Sequence, residues 1–178
     1  HTHLREPGHE GRETILTGSR AAVAGGFTSI CCMANTDPVN DNNTVTGYIL
    51  AKAKEAACKI YPVGATTIGL KGEAIANLGE LAAAGAVAFS NDGVPMRNSE
   101  IQRRIFELAR QYGKVVMSHA EDADMIVEGQ MHEGFTATDL GMPGIAGVAE
   151  EIAVARDMLL AKYTGCRLHL CHLSTAGA

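Results

Sequence analysis

At 178 residues, 46% of them hydrophobic, the chain is long enough to bury one sizeable core and too apolar to be disordered. A formal charge of -5 with no cluster of Lys or Arg leaves no basic face for nucleic acid or an anionic membrane. No apolar run reaches the roughly 18 residues that span a bilayer, no secretory leader precedes the first motif, and the five cysteines lack CxxC spacing, so the sequence reads as a cytoplasmic protein with reduced core thiols.

The chain opens on HTHLREPG (1–8). Alternate side chains of an extended segment share a face, so His1 and His3 point the same way and can grip one metal ion; taken alone, the pair is equally a polar terminus. GFTSICCMAN (26–35) is the first short apolar run with β-branched residues and a polar end, the look of a strand buried on both faces. KIYPVGATT (59–67) is the next, although Pro62 cannot donate to a ladder and argues against a regular central strand. GAVAFSND (85–92) follows. The stretch 99–113 then reads as a helix with Ser99 as N-cap, an apolar stripe of Ile101, Ile105, Leu108 and Tyr112, and a stop at Gly113. GKVVMSHA (113–120) is a further strand. Residues 124–144 show Gly, Pro and polar residues but no clear strand, and long loops of this kind tend to be functional. A second helix over 148–165 carries the stripe Val148, Ile152, Ala155 and Leu159 and ends at Gly165, before the last strand, CRLHLCHLS (166–174).

Strand and helix alternate, the pattern of a parallel α/β sheet. The last polar residues of the strands, counting HTH as the first, fall at 3, 35, 67, 92, 119 and 172. Polar groups at nearly every strand end favour a (β/α)8 TIM barrel, whose site is assembled from all the βα loops, over an open sheet, which needs them only near its switch point. About six βα units are present, as a single partial barrel domain over 1–178 that is truncated at both ends. His1, His3, Asp92, His119 and His172 stand at those ends and make a nitrogen and oxygen ligand set suited to zinc or a similar divalent ion. Five ligands exceed one tetrahedral site with an open position and suit two metals bridged by the two oxygens of Asp92.

HTHLREPGHEGRET, MANTDPVND, AFSNDGVPM, MSHAED and LHLCHLSTAGA, spread over the whole chain, resemble the successive motifs of the dihydroorotases, the bacterial type I branch of the amidohydrolase superfamily. The resemblance implies a metal-dependent hydrolase barrel that interconverts N-carbamoyl-L-aspartate and L-dihydroorotate in pyrimidine synthesis. It implies two zinc ions, one held by His1 and His3, the other by His119 and His172, with Asp92 between them. Metal coordination would lower the pKa of water from 15.7 towards about 7 and so supply a nucleophile for a cyclic amide. The substrate carries a carboxylate, for which a guanidinium is the bidentate partner, so Arg5 reads as a clamp and Asn35 as a second contact to the same group. The competing readings are a surface ion pair of Arg5 with Glu6 or Glu13, and a turn-starting role for Asn35 in NTDP.

The family's lysine-bridged relatives, hydantoinase and dihydropyrimidinase, are disfavoured because AFSNDG offers no lysine. The strand-eight aspartate that the resemblance makes proton shuttle has no candidate in the chain, so no catalytic acid is assigned. Asp37 reads as a turn former, Glu121 and Asp122 as possible helix caps, Asn91 as no part of the site, His132 as a residue that could approach substrate, and His9 and His169 as structural. Two alternatives remain: an allantoinase-like cyclic amidase, and a non-catalytic scaffold for aspartate carbamoyltransferase. Expected partners are the small-molecule substrate, a second copy in a homodimer, or that transferase.

Overall fold

The structure, a computed structural model, describes residues 1–126 and 128–178. Five parallel strands, β1 (Ser29–Cys32), β2 (Lys59–Ala65), β3 (Ala88–Ser90), β4 (Val115–Ser118) and β7 (Arg167–Leu170), form one sheet in the order β1-β2-β3-β4-β7. Helices α1 (Ile15–Ala24), α2 (Asn43–Ala53), α3 (Leu78–Ala84), α4 (Ser99–Gln111) and α6 (Val148–Thr164) pack on one another in the same order as the strands. Such a helix layer in strand order covers one face, as in a βα barrel, whereas a doubly wound sheet divides its helices between two faces.

Local sequence explains the helix starts. Asn42, Asn77 and Asn98 each turn a side-chain oxygen onto free N–H groups of the first turn, and Thr14 and Thr17 exchange bonds in a capping box. Strand alternation then sorts the core into two layers. Phe89 and Val116 meet Leu81, Ile105 and Phe106 beneath the helices, while Met33, Val63, Ala88, Met117 and Cys171 cluster on the other face. All five cysteines are free thiols. No helix among the described residues is long and apolar enough to cross a membrane.

Five details depart from the sequence reading. HTH forms only an isolated parallel bridge, Thr2 with Cys32; Thr2 donates to Cys31 O and accepts from Met33 N, and the backbone leaves the extended region at Arg5, φ 61°. Pro62 lies inside β2, which is paired on both sides. It faces Cys32, the last β1 partner, just before pairing with β3 begins at Val63, so its missing N–H falls where one ladder ends and the other starts. The cap of α4 is Asn98, not Ser99. Residues 124–144 contain α5 (Phe135–Asp139) and the two-residue strand β5 (Met131–His132); β5 pairs with β6 (Gly144–Ile145) in a parallel ribbon too short to show a period. Val127 of that stretch lies outside the described residues. Finally, Val148, Ile152, Ala155 and Leu159 of α6 are exposed, and the helix buries Ala149, Ala153, Val154, Asp157 and Thr164 instead.

Candidate metal centre

The C-terminal edge of the sheet gathers the residues that close its strands. His1 and His3 flank the Thr2 bridge, Asn35 follows β1, Asp92 follows β3, His119 directly follows β4, and His172 lies two residues beyond β7. Asp92 sits at the middle and is 4% exposed, its N–H donating to Ser90 Oγ at 3.0 Å. One carboxylate oxygen, Oδ2, faces His1 Nε2 at 3.4 Å and His3 Nε2 at 3.2 Å. The other, Oδ1, faces His119 Nδ1 at 3.5 Å and His172 Nε2 at 3.0 Å. Within each histidine pair the facing nitrogens are equally close, 3.2 Å for His1 and His3 and 3.1 Å for His119 and His172.

These distances test whether the residues suit metal ions. A tetrahedral ion with bonds near 2.0–2.1 Å separates its ligand atoms by about 3.3 Å. Both triads, His1–His3–Asp92 and Asp92–His119–His172, have edges in that range, and each lacks a fourth ligand from the described residues. The donor set fits two divalent ions sharing Asp92.

Neighbouring groups fix how the imidazoles present themselves. Asn35 Oδ1, an acceptor, lies 2.8 Å from His3 Nδ1, which makes Nδ1 a donor to it and leaves Nε2 as the nitrogen that faces Asp92. Glu121 Oε2 lies 3.1 Å from His119 Nε2, which leaves Nδ1 as the free nitrogen. Burial works to raise the Asp92 carboxyl, but hydrogen bonds from His119, His3 and His172 hold it well below the usual carboxylate range. The hydrogen bond to Asp92 raises both His3 and His119 against the lowering effect of burial.

The structure thus brings His1, His3, Asp92, His119 and His172 together, with Asn35 beside them. Asn35 spends its amide oxygen on His3, which leaves its N–H groups for a ligand. Arg5 is half-buried, and among the described residues no carboxylate lies within ion-pairing distance of it. Glu6 is instead buried against Ile15 N–H, the Tyr48 hydroxyl and Lys52, and Glu13 is bonded to Thr14 and Thr17. The extended run of His1 and His3 ends at Arg5, whose positive φ turns the chain there.

Asn91 is tied up structurally by Thr66, Thr67, Leu70 and Val94, and Asp122 accepts from Asp124 N in a turn. Glu121 serves His119 rather than a helix start; the available signal was its position two residues on in an extended run, hence on the same face. His132, with Gln130 and the β5–β6 ribbon, lines a cavity of about 320 Å³ that opens onto His119 and His172. His169 lies with Cys31, Val115 and Met117 on the inner face of the sheet, away from His172.

Comparison with known proteins agrees with this geometry. The model of the family described as "Dihydro-orotase-like" matches residues 1–178. The dihydroorotase of Pelobacter propionicus is 55% identical over 179 aligned residues and that of Trichlorobacter lovleyi 52%, each alignment covering 100% of this chain and 42% of the relative. The chain therefore spans less than half the length of these curated relatives. Among solved structures, L-hydantoinase (dihydropyrimidinase) from Arthrobacter aurescens superposes with a TM-score of 0.73 at 24% identity, over 98% of this chain and 40% of that one. Dihydropyrimidinase from Brevibacillus agri gives 0.71 at 24% identity, over 100% and 41%. The shared architecture is a TIM barrel, of which this chain forms a part. By sequence over its whole length, the chain belongs to the dihydroorotase-like family.

Proposed function

We propose that the protein carrying this chain is a zinc-dependent cytoplasmic dihydroorotase, and that residues 1–178 are part of its single barrel domain. The observation that carries the reading is the placement of Asp92, whose two oxygens each face a separate pair of histidines. Two divalent ions held there would supply the Lewis acidity that polarises a cyclic amide carbonyl and makes water nucleophilic at neutral pH.

The chain's own residues do the rest. Asp92 fixes the spacing of the two sites, while Asn35 and Glu121 hold His3 and His119 in the tautomers that leave one ring nitrogen free. Arg5, which pairs with no carboxylate among the described residues, would clamp the carboxylate of dihydroorotate or N-carbamoyl-aspartate, and the Asn35 N–H groups add a second contact. None of the described residues is assigned as the acid that returns a proton to the leaving nitrogen. The five gathered ligands favour this reading over a scaffold for aspartate carbamoyltransferase, and a guanidinium whose charge is felt at His3, with no carboxylate partner among the described residues, favours a carboxylate substrate over that of an allantoinase.

Elemental analysis of the full-length protein is expected to find two ions per chain, and one or none would refute the reading. Asp92→Ala should remove metal and more than about 100-fold of ring-opening activity, since even groups that only orient a ligand cost 10–100-fold. Arg5→Lys should raise KM for dihydroorotate about 10- to 100-fold, as an ammonium cannot make the paired bonds. Unchanged KM would remove the clamp. Because general acids contribute about 10²- to 10⁴-fold, the 178 residues alone should show at most trace activity.

A further inference from the structure

The loop that carries His172 has little holding it. Its last sheet bond is Cys171 N–H to Ser118 O, and His172 itself has φ 36°, a left-handed conformation that a β-carbon disfavours. Its side chain is half exposed, with Nε2 near Asp92 Oδ1 and His119 Nδ1 and the ring beside that of His1. What fixes the backbone just beyond it comes from another element. Glu150, in the first turn of α6, accepts from Ser174 N–H at 2.9 and 3.1 Å, from Thr175 N–H at 2.7 Å, from Ser174 Oγ at 3.2 Å and from Thr175 Oγ1 at 2.6 Å.

One carboxylate thus collects four donors from two consecutive residues, at a place where the chain has no ladder. The Thr175 side chain in turn reaches Gly147, where an added β-carbon would stand 3.2 Å from Thr175 Cγ2. Glu150 also lines the cavity beside His119 and His172 without touching either.

We infer that Glu150 is a positioning residue for the His119–His172–Asp92 site. By clamping residues 174 and 175 to the start of α6, it holds His172 in its left-handed conformation with Nε2 directed at Asp92 Oδ1. Charge is part of the device, because a carboxylate can accept from all four donors, whereas a carboxamide turns two N–H groups towards them. The inference rests on the two-metal reading above and adds that one of the two sites depends on a residue that binds no metal.

The test uses the full-length protein with Glu150→Gln and, as a second variant less prone to disturb folding, Thr175→Val. Zinc affinity and stoichiometry are measured by titration of the metal-free protein, and amide hydrogen exchange over residues 171–176 is followed in the same samples. Wild type binding two ions with Glu150→Gln binding one of them 10- to 100-fold more weakly, the other unchanged, would support the inference. Faster exchange confined to 171–176 in both variants, including the metal-free protein, would support it independently. Two ions bound at wild-type affinity by both folded variants, with exchange unaltered, would overturn it. If Glu150→Gln does not fold, Thr175→Val decides by the same criteria. Wild type binding fewer than two ions would refute the two-metal reading and the inference with it, whereas a normal wild type with unaffected variants refutes the inference alone.

Discussion

Helices α4 and α6 carry apolar stripes of the same periodicity and meet opposite fates. In α4, Ile105, Phe106 and Ala109 are fully buried, with Ile101 and Leu108 packed against the same cluster. In α6 the stripe faces outward, with Leu159 68% and Tyr163 75% exposed. The buried side of α6 is made of Ala149, Ala153, Val154, Thr164 and one acid: the alanines let the helix approach closely, and Asp157, 0% exposed, accepts from Ser118 Oγ at 2.5 Å, Gln102 Nε2 at 3.4 Å and Arg156 Nε at 2.9 Å. The reason is position. α4 has α3 on one side and α6 on the other, whereas α6 follows the order of the strands to the sheet's edge and has α4 as its main helix neighbour. A stripe reports that a face can be covered, and position in the layer decides whether something covers it.

That contrast can be broken at its polar end. Asp157→Ala removes an acceptor shared by α6, α4 and β4, and should cost about 2 to 6 kcal/mol in a denaturant titration, since the buried donors of Ser118 and Gln102 each lose their partner at about 1 to 3 kcal/mol. A cost under about 1 kcal/mol would mean that α6 is held by its alanines instead. Ile105→Ala in α4 should cost about 2 to 5 kcal/mol by leaving a cavity in a filled cluster. Leu159→Ala, the same kind of truncation in the outward stripe of α6, should stay within about 0.5 kcal/mol in the 178-residue chain. The same substitution costing several times more in the full-length protein would show that a further element covers the stripe there. Light scattering should find the 178-residue chain associating through this face and the open edges of its sheet, and Leu159→Lys should reduce the association.

Much of the site was legible because a strand end is a local feature. An apolar β-branched run ending in His, Asp or Asn announces its own C-terminal edge, and a parallel sheet brings all such edges to one side. His1, His3, Asp92, His119 and His172 could be grouped on that ground before any distance was known. The orienting contacts were less legible. Asn35 was read towards a substrate but spends its oxygen on His3, and Glu121 was read as a cap but serves His119, because which acceptor an imidazole finds depends on loop backbone angles that no periodicity encodes. The grip of Glu150 on Ser174 and Thr175 joins positions 24 and 25 residues apart and left no signal at all.

Sequence by itself determined the alternation of strands and helices, the parallel barrel architecture and which polar residues stand at the strand ends, since each follows from side-chain period and hydrogen-bonding capacity within one short segment. Only the tertiary structure decided that HTH shrinks to a single bridge, that Pro62 fits where two ladders change over, and that α6 turns its larger apolar residues outward. It also set the distances at which the two oxygens of Asp92 meet their histidines, 3.2 Å to His3 and 3.0 Å to His172. Those outcomes depend on which neighbours surround an element, and a segment's own residues constrain what it can bury or bind without naming the partner that arrives.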